Sequence, residues 1–317
     1  MSSDHSLPTE PNLLFALHLL LSERSVSRAA ARLSVSQSAM SHKLRALREV
    51  FNDSLLVRGG DGMVLTDTAR ALQSTLHQAF SSLSEGIRFA LHFDPTRDAR
   101  TFTLAVRDYA KSIIVARLGP LLQARAPAVT IEMTMLPPSS ELPVFLERGN
   151  ADIALVGPAV APSSLLRVRL PAERFVVLAR ADHPRIRGQL SLDQYLAESH
   201  VLVAPGGGRT GIVDSVLQPL GLERKIAIVT RHFLVAPLLI ARTDLIGTVP
   251  HRLAWDVGSQ LRLQCLKAPL ELPELPAHML WHERTHKSPG HQWLRQLVID
   301  SVSELDREVT ADSVISG

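Results

Sequence analysis

The sequence predicts an α/β protein that begins with a small helical part and continues into a larger part of alternating strands and helices. Two observations support this expectation. Between Arg24 and Arg48 there are six Arg or Lys residues and no Asp or Glu, in a stretch whose apolar spacing predicts short helices. Beyond residue 100, apolar strand candidates alternate with helical segments, as in α/β domains. With 317 residues, the chain has room for about two or three domains.

Two short helices joined by a tight turn are predicted between Ser25 and Arg48. The second helix starts at Ser36, whose hydroxyl can cap it, and its apolar positions, such as Met40 and Leu44, face a core. The small residues of 29–31 allow the first helix to approach closely, as in a helix-turn-helix. The candidate contacts to base edges and phosphates are polar: Ser36, Gln37, Ser38, Ser41, His42, Lys43, Arg45 and Arg48. The alternative is a solvated basic face on an ordinary helical domain.

A hairpin is predicted directly after this helix pair. Leu55–Thr66 contains two short apolar strands around a Gly-rich turn, with Arg58 near its tip, where it can contact DNA phosphates. The hairpin completes a winged helix-turn-helix over residues 1–66.

A long helix is predicted over residues 67–92, capped by Thr66. Its apolar residues repeat about every 3.5 positions: Leu72, Leu76, Phe80, Leu83, Ile87 and Leu91. Such a stripe is covered either by a second copy of the chain or by the helix's own domain. Pro95 then ends the helix, which places a hinge at residues 93–99.

Residues 12–92 resemble the N-terminal domain of the LysR-type transcriptional regulators. The matching elements are Asn12–Leu17, Ser25–Ala30, Ser36-Gln37 with Ser41-His42, Leu47–Phe51 and Leu65-Thr66. Ser34 and Ser38 depart from the Gly and Pro that many relatives carry there. The resemblance implies a sequence-specific transcriptional regulator that binds promoter DNA, dimerises through the linker helix and often pairs into tetramers, with RNA polymerase as a possible partner.

Residues 100–300 resemble the effector-binding domain of the same family, which has the two-lobed α/β fold of periplasmic solute-binding proteins. Strand candidates include Phe102–Val106, Val129–Met135 and Phe175–Ala179, and their alternation with helices predicts parallel pairing. We expect the chain to cross between lobes near Leu166–Leu170 and Lys267–Leu270. Lobe I then spans about 100–167 and 268–300, lobe II about 168–267, and residues 301–317 form a C-terminal tail.

Composition agrees with a cytoplasmic regulator. The net charge of +3 is small, so the basic character of a DNA binder must be local, as it is at residues 24–48. The single cysteine, Cys265, excludes an internal disulfide and favours a reducing compartment. Apolar stretches such as Leu13–Leu21 are too short to cross a bilayer, and we expect no membrane partner.

Two motifs raise the alternative of an enzyme. Gly206–Gly211 fits G-x-G-x-x-G, but the next strand ends at Arg231 rather than at the acidic residue that a dinucleotide site needs. His282–His286 fits the zinc motif H-E-x-x-H, but Lys287–Gly290 leaves little room for the required helix. We therefore expect neither cofactor nor metal, and no enzymatic activity.

The candidate effector residues lie at strand ends, which are the ligand edge of an α/β sheet. Asp108 can instead be an ordinary helix cap. Asp-Tyr-Ala, Pro-Gly-Gly and Thr-Asp-Leu-x-x-Thr-Val-Pro resemble regulators induced by aromatic acids or flavonoid-like molecules, which implies a small, aromatic organic acid. The rival function is a repressor without ligand control. The candidates are Asp108, Tyr109, Lys111, Ser112, Pro137, Ser139, Gly206, Gly207, Gly208, Arg209, Phe233 and Thr248.

Overall fold

The computed structural model describes residues 10–60, 62–157 and 162–315, apart from the side chains of residues 112–116, 306 and 308–315. The chain divides into two compact units, Met1–Leu91 and His92–Gly317. None of the helices in the described ranges is long and apolar enough to cross a membrane.

The N-terminal unit is a winged helix-turn-helix followed by a long helix, as predicted. Its core lies between the first three helices and includes Leu17, Leu20, Met40 and Leu47, all essentially inaccessible to solvent. The two wing strands pair antiparallel. The elements are α1 (Pro11–Glu23), α2 (Val26–Leu33), α3 (Gln37–Phe51), β1 (Leu56–Gly59), β2 (Gly62–Leu65) and α4 (Asp67–Leu91).

Side-chain caps set the starts of three of these helices. The hydroxyls of Ser25, Ser36 and Thr66 accept the backbone N–H groups of Arg28, Ala39 and Ala69 at 3.4, 3.1 and 3.2 Å. Ser34 ends α2 in the left-handed conformation, with φ of 57°. The turn that many relatives make with Gly is therefore made here by Ser34, which adopts the same backbone region.

The apolar stripe of α4 is covered along only part of its length. Leu72 and Leu76 pack against the helix-turn-helix core, and the Phe80 ring meets Phe15 with centroids 5.0 Å apart. Further along, Leu83 is 57% exposed and Leu91 is 64% exposed. The N-terminal end of the stripe is therefore covered by the helix's own domain, as one of the two expectations had it, while the C-terminal end is exposed in the single chain.

The C-terminal unit contains two α/β lobes. Lobe I consists of β3 (Arg100–Val106), α5 (Asp108–Arg125), β4 (Val129–Met135), α6 (Leu142–Glu147), β5 (Ile153–Val156), β6 (Leu166–Glu173), β12 (Leu275–Trp281) and α11 (Pro289–Ile315). Lobe II consists of β7 (Phe175–Arg180), α7 (Leu192–Ala197), β8 (Ser199–Val203), α8 (Ile212–Leu217), β9 (Lys225–Thr230), α9 (Val235–Ile240), β10 (Gly247–Pro250), α10 (His251–Gly258) and β11 (Leu263–Lys267).

The sheets are mixed rather than parallel throughout. Of the described strands, five form the lobe I sheet in the order β4-β3-β5-β12-β6, in which β3 is parallel to β4 and β5. Strand β12 runs antiparallel to β5 and β6, because it returns from lobe II in the opposite direction. In lobe II, β7 pairs antiparallel with β10 and β11, while β8 pairs parallel with β9. The expectation of parallel pairing therefore holds for only some of the strands.

Two predicted boundaries need correction. The segment Leu166–Leu170 is not a crossing, because β6 continues to Glu173 at the edge of the lobe I sheet and the chain enters lobe II at Phe175. The return crossing lies between β11 and β12, at residues 268–274. The predicted tail at 301–317 is part of α11 as far as Ile315, and Val302 and Leu305 are buried.

The predicted hinge segment is packed on the C-terminal unit. Phe93 lies against Phe102 and Trp293, with ring centroids 5.8 and 5.3 Å apart. The carboxylate of Asp98 is buried and accepts the backbone N–H of Asp94 at 2.8 Å. These contacts fix the chain where it enters lobe I.

Candidate functional sites

The first site is the exposed face of α3. Gln37, Ser38, Ser41, His42 and Arg45 are all exposed on this helix. Their positions follow from the apolar stripe, since burying one face of the helix leaves the polar side chains on the other. This face presents the hydrogen-bonding groups that read base edges in a major groove.

The remaining candidates on α3 are partly engaged within the protein. Ser36 caps the helix and shares a 2.9 Å hydrogen bond with the Ser38 hydroxyl. Lys43 is half-buried. Arg48 donates from Nε to the carbonyl oxygen of Ser54 and from Nη2 to that of Leu56, at 2.9 and 3.0 Å. Arg48 therefore holds the wing against the recognition helix.

Asp53 fixes the base of the wing and was missed by sequence reasoning. Its Oδ1 accepts the backbone N–H of Leu55 at 2.6 Å and the hydroxyl of Thr66 at 2.7 Å. The hydrogen bond from Thr66, together with that from Leu55, lowers the pKa of the Asp53 carboxyl. Arg58 lies on β1 with its side chain exposed.

Part of the basic charge of residues 24–48 is paired. Glu23 accepts from Arg32 at 2.8 Å and from Arg28 at 3.3 Å, and hydrogen bonding to Arg32 lowers the pKa of this carboxyl. Arg45 on α3 is exposed. The single Glu23 carboxylate therefore offsets one of the two arginine charges of α2.

The second site is a cavity of about 410 Å³ between the two lobes. Asp108, Tyr109 and Leu170 line it from lobe I, and Phe233 and Arg252 line it from lobe II. Most of the other lining residues are apolar, which is typical of pockets for small organic ligands.

Asp108 joins the two lobes across this cavity. It is the first residue of α5, but its side chain does not cap that helix. Its Oδ2 accepts the backbone N–H of Phe233 at 2.8 Å, and its Oδ1 lies 3.3 Å from Nδ1 of His232. The geometry thus favours an interlobe contact over the capping alternative.

A buried polar group forms the floor of the cavity. Nη1 of Arg252 donates to Oε2 of Glu173 at 2.9 Å, and both side chains are 6% exposed. The hydroxyl of Tyr109 donates to the same carboxylate oxygen. Burial raises the pKa of Tyr109 well above its usual value, and the neighbouring Glu173 charge raises it further, so Tyr109 stays a neutral phenol.

A second cavity, of about 270 Å³, lies at the end of β8 in lobe II. The loop residues Gly206 and Gly207 line it together with Thr248 and the buried Arg224. Gly207 has φ of 82°, in the region that favours glycine. The Thr248 hydroxyl lies 2.8 Å from that of Tyr195.

The predicted effector residues divide into those at a cavity and those elsewhere. Asp108, Tyr109 and Phe233 line the interlobe cavity, and Gly206, Gly207 and Thr248 line the lobe II cavity, which Phe233 also borders. The Ser112 side chain lies outside the described residues. Among the described residues, the following candidates line neither of these two cavities: Lys111, Pro137, Ser139, Gly208 and Arg209.

The two enzyme-like motifs have structural roles. In His282–His286 the middle residues form one short 3-10 turn, and Nδ1 of His286 accepts the indole N–H of Trp281 at 3.3 Å. Within the described ranges, no cluster of three or more His, Cys, Asp or Glu side chains is arranged to hold a metal ion. In Gly206–Gly211, the N–H of Gly211 is already bonded to Asp214 at 2.6 Å.

Comparison with known proteins assigns both units. Residues 11–70 match the bacterial regulatory helix-turn-helix protein model of the lysR family, and residues 95–303 match the LysR substrate binding domain. The transcriptional activator NahR of Pseudomonas putida is 35% identical over 289 residues, covering 91% of this chain and 96% of NahR. NagR of a Ralstonia species, also a transcriptional activator, is 33% identical over 293 residues, covering 92% of this chain and 97% of NagR.

The likeness extends to a solved structure. The probable transcriptional regulator PA0477 from Pseudomonas aeruginosa superimposes with a TM-score of 0.58 and 31% identity, covering 92% of this chain and 96% of that one. The exposed recognition helix, the wing and the two-lobed domain are the parts that these matches span. The chain therefore belongs to the LysR family of DNA-binding transcriptional regulators, which are not enzymes.

Proposed function

We propose that this regulator binds its promoter through α3 and the wing, and that a small aromatic effector in the interlobe cavity controls it. The cavity carries the proposal, because its walls come from both lobes and Asp108 joins those walls through Phe233. A ligand in that position contacts both lobes at once, so it can favour one lobe arrangement over another.

Base reading is assigned to the exposed face of α3. Gln37 and Arg45 have the chemistry for bidentate contacts with adenine and guanine edges. Arg58 on the wing is suited to a phosphate, which carries no sequence information. Arg48 remains a candidate contact in addition to its role in holding the wing.

Substitutions separate these roles. Gln37→Ala or Arg45→Ala should cost about 1–3 kcal/mol for the specific site and relax specificity. Arg58→Ala should weaken binding to all DNA sequences to the same extent and reduce the salt dependence of binding. Arg32→Ala is the control, because its guanidinium is paired with Glu23. Footprinting and salt titration measure these effects, and unchanged specific affinity in both α3 variants would contradict the assignment.

Filling the cavity tests the effector site. Leu170→Trp adds bulk inside the interlobe cavity and should abolish the transcriptional response while leaving operator binding intact. Arg209→Ala is the control, since this exposed side chain lines neither cavity. A reporter assay beside a footprint of the same protein gives both readouts. A retained response in Leu170→Trp would move the effector site elsewhere, and lost operator binding would indicate misfolding.

We further propose a dimer through the exposed end of α4, with two dimers pairing into a tetramer. Leu83, Ile87 and Leu91 leave an apolar stripe exposed there, which a second helix of the same kind can cover. Because its target is promoter DNA, we place the protein in the cytoplasm. We also propose RNA polymerase as a partner, since the relatives NahR and NagR are transcriptional activators.

A further inference from the structure

The buried cations of both cavities are already paired with carboxylates of this chain. We propose that the effector is an uncharged aromatic molecule rather than an organic acid. This inference rests on the proposed function, and it replaces the expectation of an acid that the sequence raised.

In the interlobe cavity, Arg252 is neutralised by Glu173. Besides its 2.9 Å contact with Glu173, Arg252 donates from Nη2 to the carbonyl oxygen of Ala172 at 3.0 Å. Glu173 also accepts the backbone N–H groups of Arg174 and Arg252, at 3.1 and 3.4 Å. The pair is thus held by several further hydrogen bonds, and a ligand carboxylate would have to displace a carboxylate that these contacts already hold in place.

In the lobe II cavity, the same arrangement recurs with different residues. Arg224 has only 2% of its side chain exposed and donates from Nε and Nη2 to the two oxygens of Asp214, both at 2.8 Å. Its Nη1 lies 3.3 Å from the hydroxyl of Tyr195. Burial raises the pKa of Asp214, but hydrogen bonds from Arg224 and Gly211 outweigh it and keep the carboxyl ionised.

The other cation that lines the interlobe cavity is at the protein surface. Arg107 has its side chain exposed, where solvent screens its charge. The cations that the sequence suggested as carboxylate partners, Lys111 and Arg209, line neither cavity. A ligand acid would therefore place its negative charge in a largely apolar space whose buried cation is already paired, which is unfavourable. A neutral aromatic amide, phenol or ketone buries its ring without that penalty.

Matched acid–amide pairs test the proposal directly. Benzoate and benzamide, phenylacetate and phenylacetamide, and cinnamate and cinnamamide differ in charge but little in shape. Isothermal titration of the full-length protein near pH 7.5, where the acids are ionised, should show each amide binding at least about tenfold more tightly than its acid.

Glu173→Gln sharpens the test, because it frees the Arg252 guanidinium while keeping the size of the side chain. This variant should bind the acids at least about tenfold more tightly than the wild type does, and should invert the preference within a pair. Glu198→Gln is the matched control. Its carboxylate is also buried and paired, with Arg185 at 2.7 Å, but it lines neither cavity, so the preference should not change.

The outcomes test two conclusions separately: the charge of the effector and the presence of an aromatic effector site. If the wild type binds the acids more tightly than the amides, the proposal of an uncharged effector is wrong, while the proposal of an effector site in the cavity stands. A folded Glu173→Gln protein that gains no affinity for acids also overturns the proposal of an uncharged effector. If that variant does not fold, the wild-type comparison decides. Absence of binding by all six compounds contradicts the proposed aromatic effector site itself, and the inference about its charge fails with it.

Discussion

The two ends of α4 carry the same apolar spacing but have different surroundings. At the N-terminal end, Leu72 and Leu76 complete the core of the helix-turn-helix. At the C-terminal end, Leu83, Ile87 and Leu91 are 57%, 52% and 64% exposed within one chain. The repeat of about 3.5 residues is therefore a property of the whole helix, whereas the surface that covers it changes partway along.

This difference shows what an apolar period can and cannot specify. The period determines which face of a helix is buried, because residues three and four apart share a face. It does not record whether the cover is the same chain or another copy. The change occurs near Phe80, which still contacts Phe15 of α1. Substitutions on either side of Phe80 should therefore have different consequences.

The largest expected effect comes from the covered end. Leu76→Asp places a carboxylate against the core of the N-terminal unit and should destabilise that unit by about 2–3 kcal/mol. Hydrogen exchange of the amides of α1 and α3 measures this loss of stability. Leu83→Asp is the matched substitution at an exposed site and should leave their exchange close to that of the wild type. Equal destabilisation by both substitutions would remove the distinction between the two ends.

The second effect concerns assembly and comes from the exposed end. Leu83→Asp with Ile87→Asp would place four carboxylates in a paired helix interface, so the oligomer should dissociate and two-half-site binding should fail. Ser74→Asp with Ser81→Asp adds the same charge on exposed positions of the opposite face and serves as the control. Light scattering at micromolar concentration measures the mass of the oligomer in each variant. A monomeric wild type would show that the exposed stripe has another role.

Local signals predicted the elements of the first unit well. Ser36 and Thr66 were expected to cap α3 and α4, and each hydroxyl does accept a backbone N–H at the start of its helix. In the second unit, β4 (Val129–Met135) has the predicted ends. In these cases the information lies within a few residues, in a cap or in a short run of apolar positions.

Features that depend on distant partners were not predictable in this way. Strand β6 alternates exposed arginines with apolar residues and forms an edge of the lobe I sheet, whereas its segment Leu166–Leu170 was expected to cross between lobes. Glu173 and Arg252 are 79 positions apart in the chain, so no spacing rule connects them. Their pairing nevertheless neutralises the buried guanidinium that lines the interlobe cavity. The sequence shows the type of each residue, but it does not show which distant residue that side chain contacts when it is buried.

The smallest expected effect is a pH dependence at the covered end of α4. The His18 ring on α1 lies between Phe80 and His77, with centroids 5.1 and 5.9 Å away. Burial lowers the pKa of His18, and the nearby His77 and Arg32 lower it further.

The unfolded chain therefore binds a proton at His18 more readily than the folded chain does. Stability from this residue is fully present above about pH 6.5 and falls as the pH drops through the folded-state pKa. Amide exchange in α1 should accelerate between about pH 6.5 and pH 5, after correction for intrinsic rates. His18→Gln should reduce this pH dependence, while His42→Gln, at an exposed site on α3, should not. An unchanged pH dependence in His18→Gln would mean that another titrating group controls the stability of this end. The contact between α1 and α4 would then be independent of the charge state of His18.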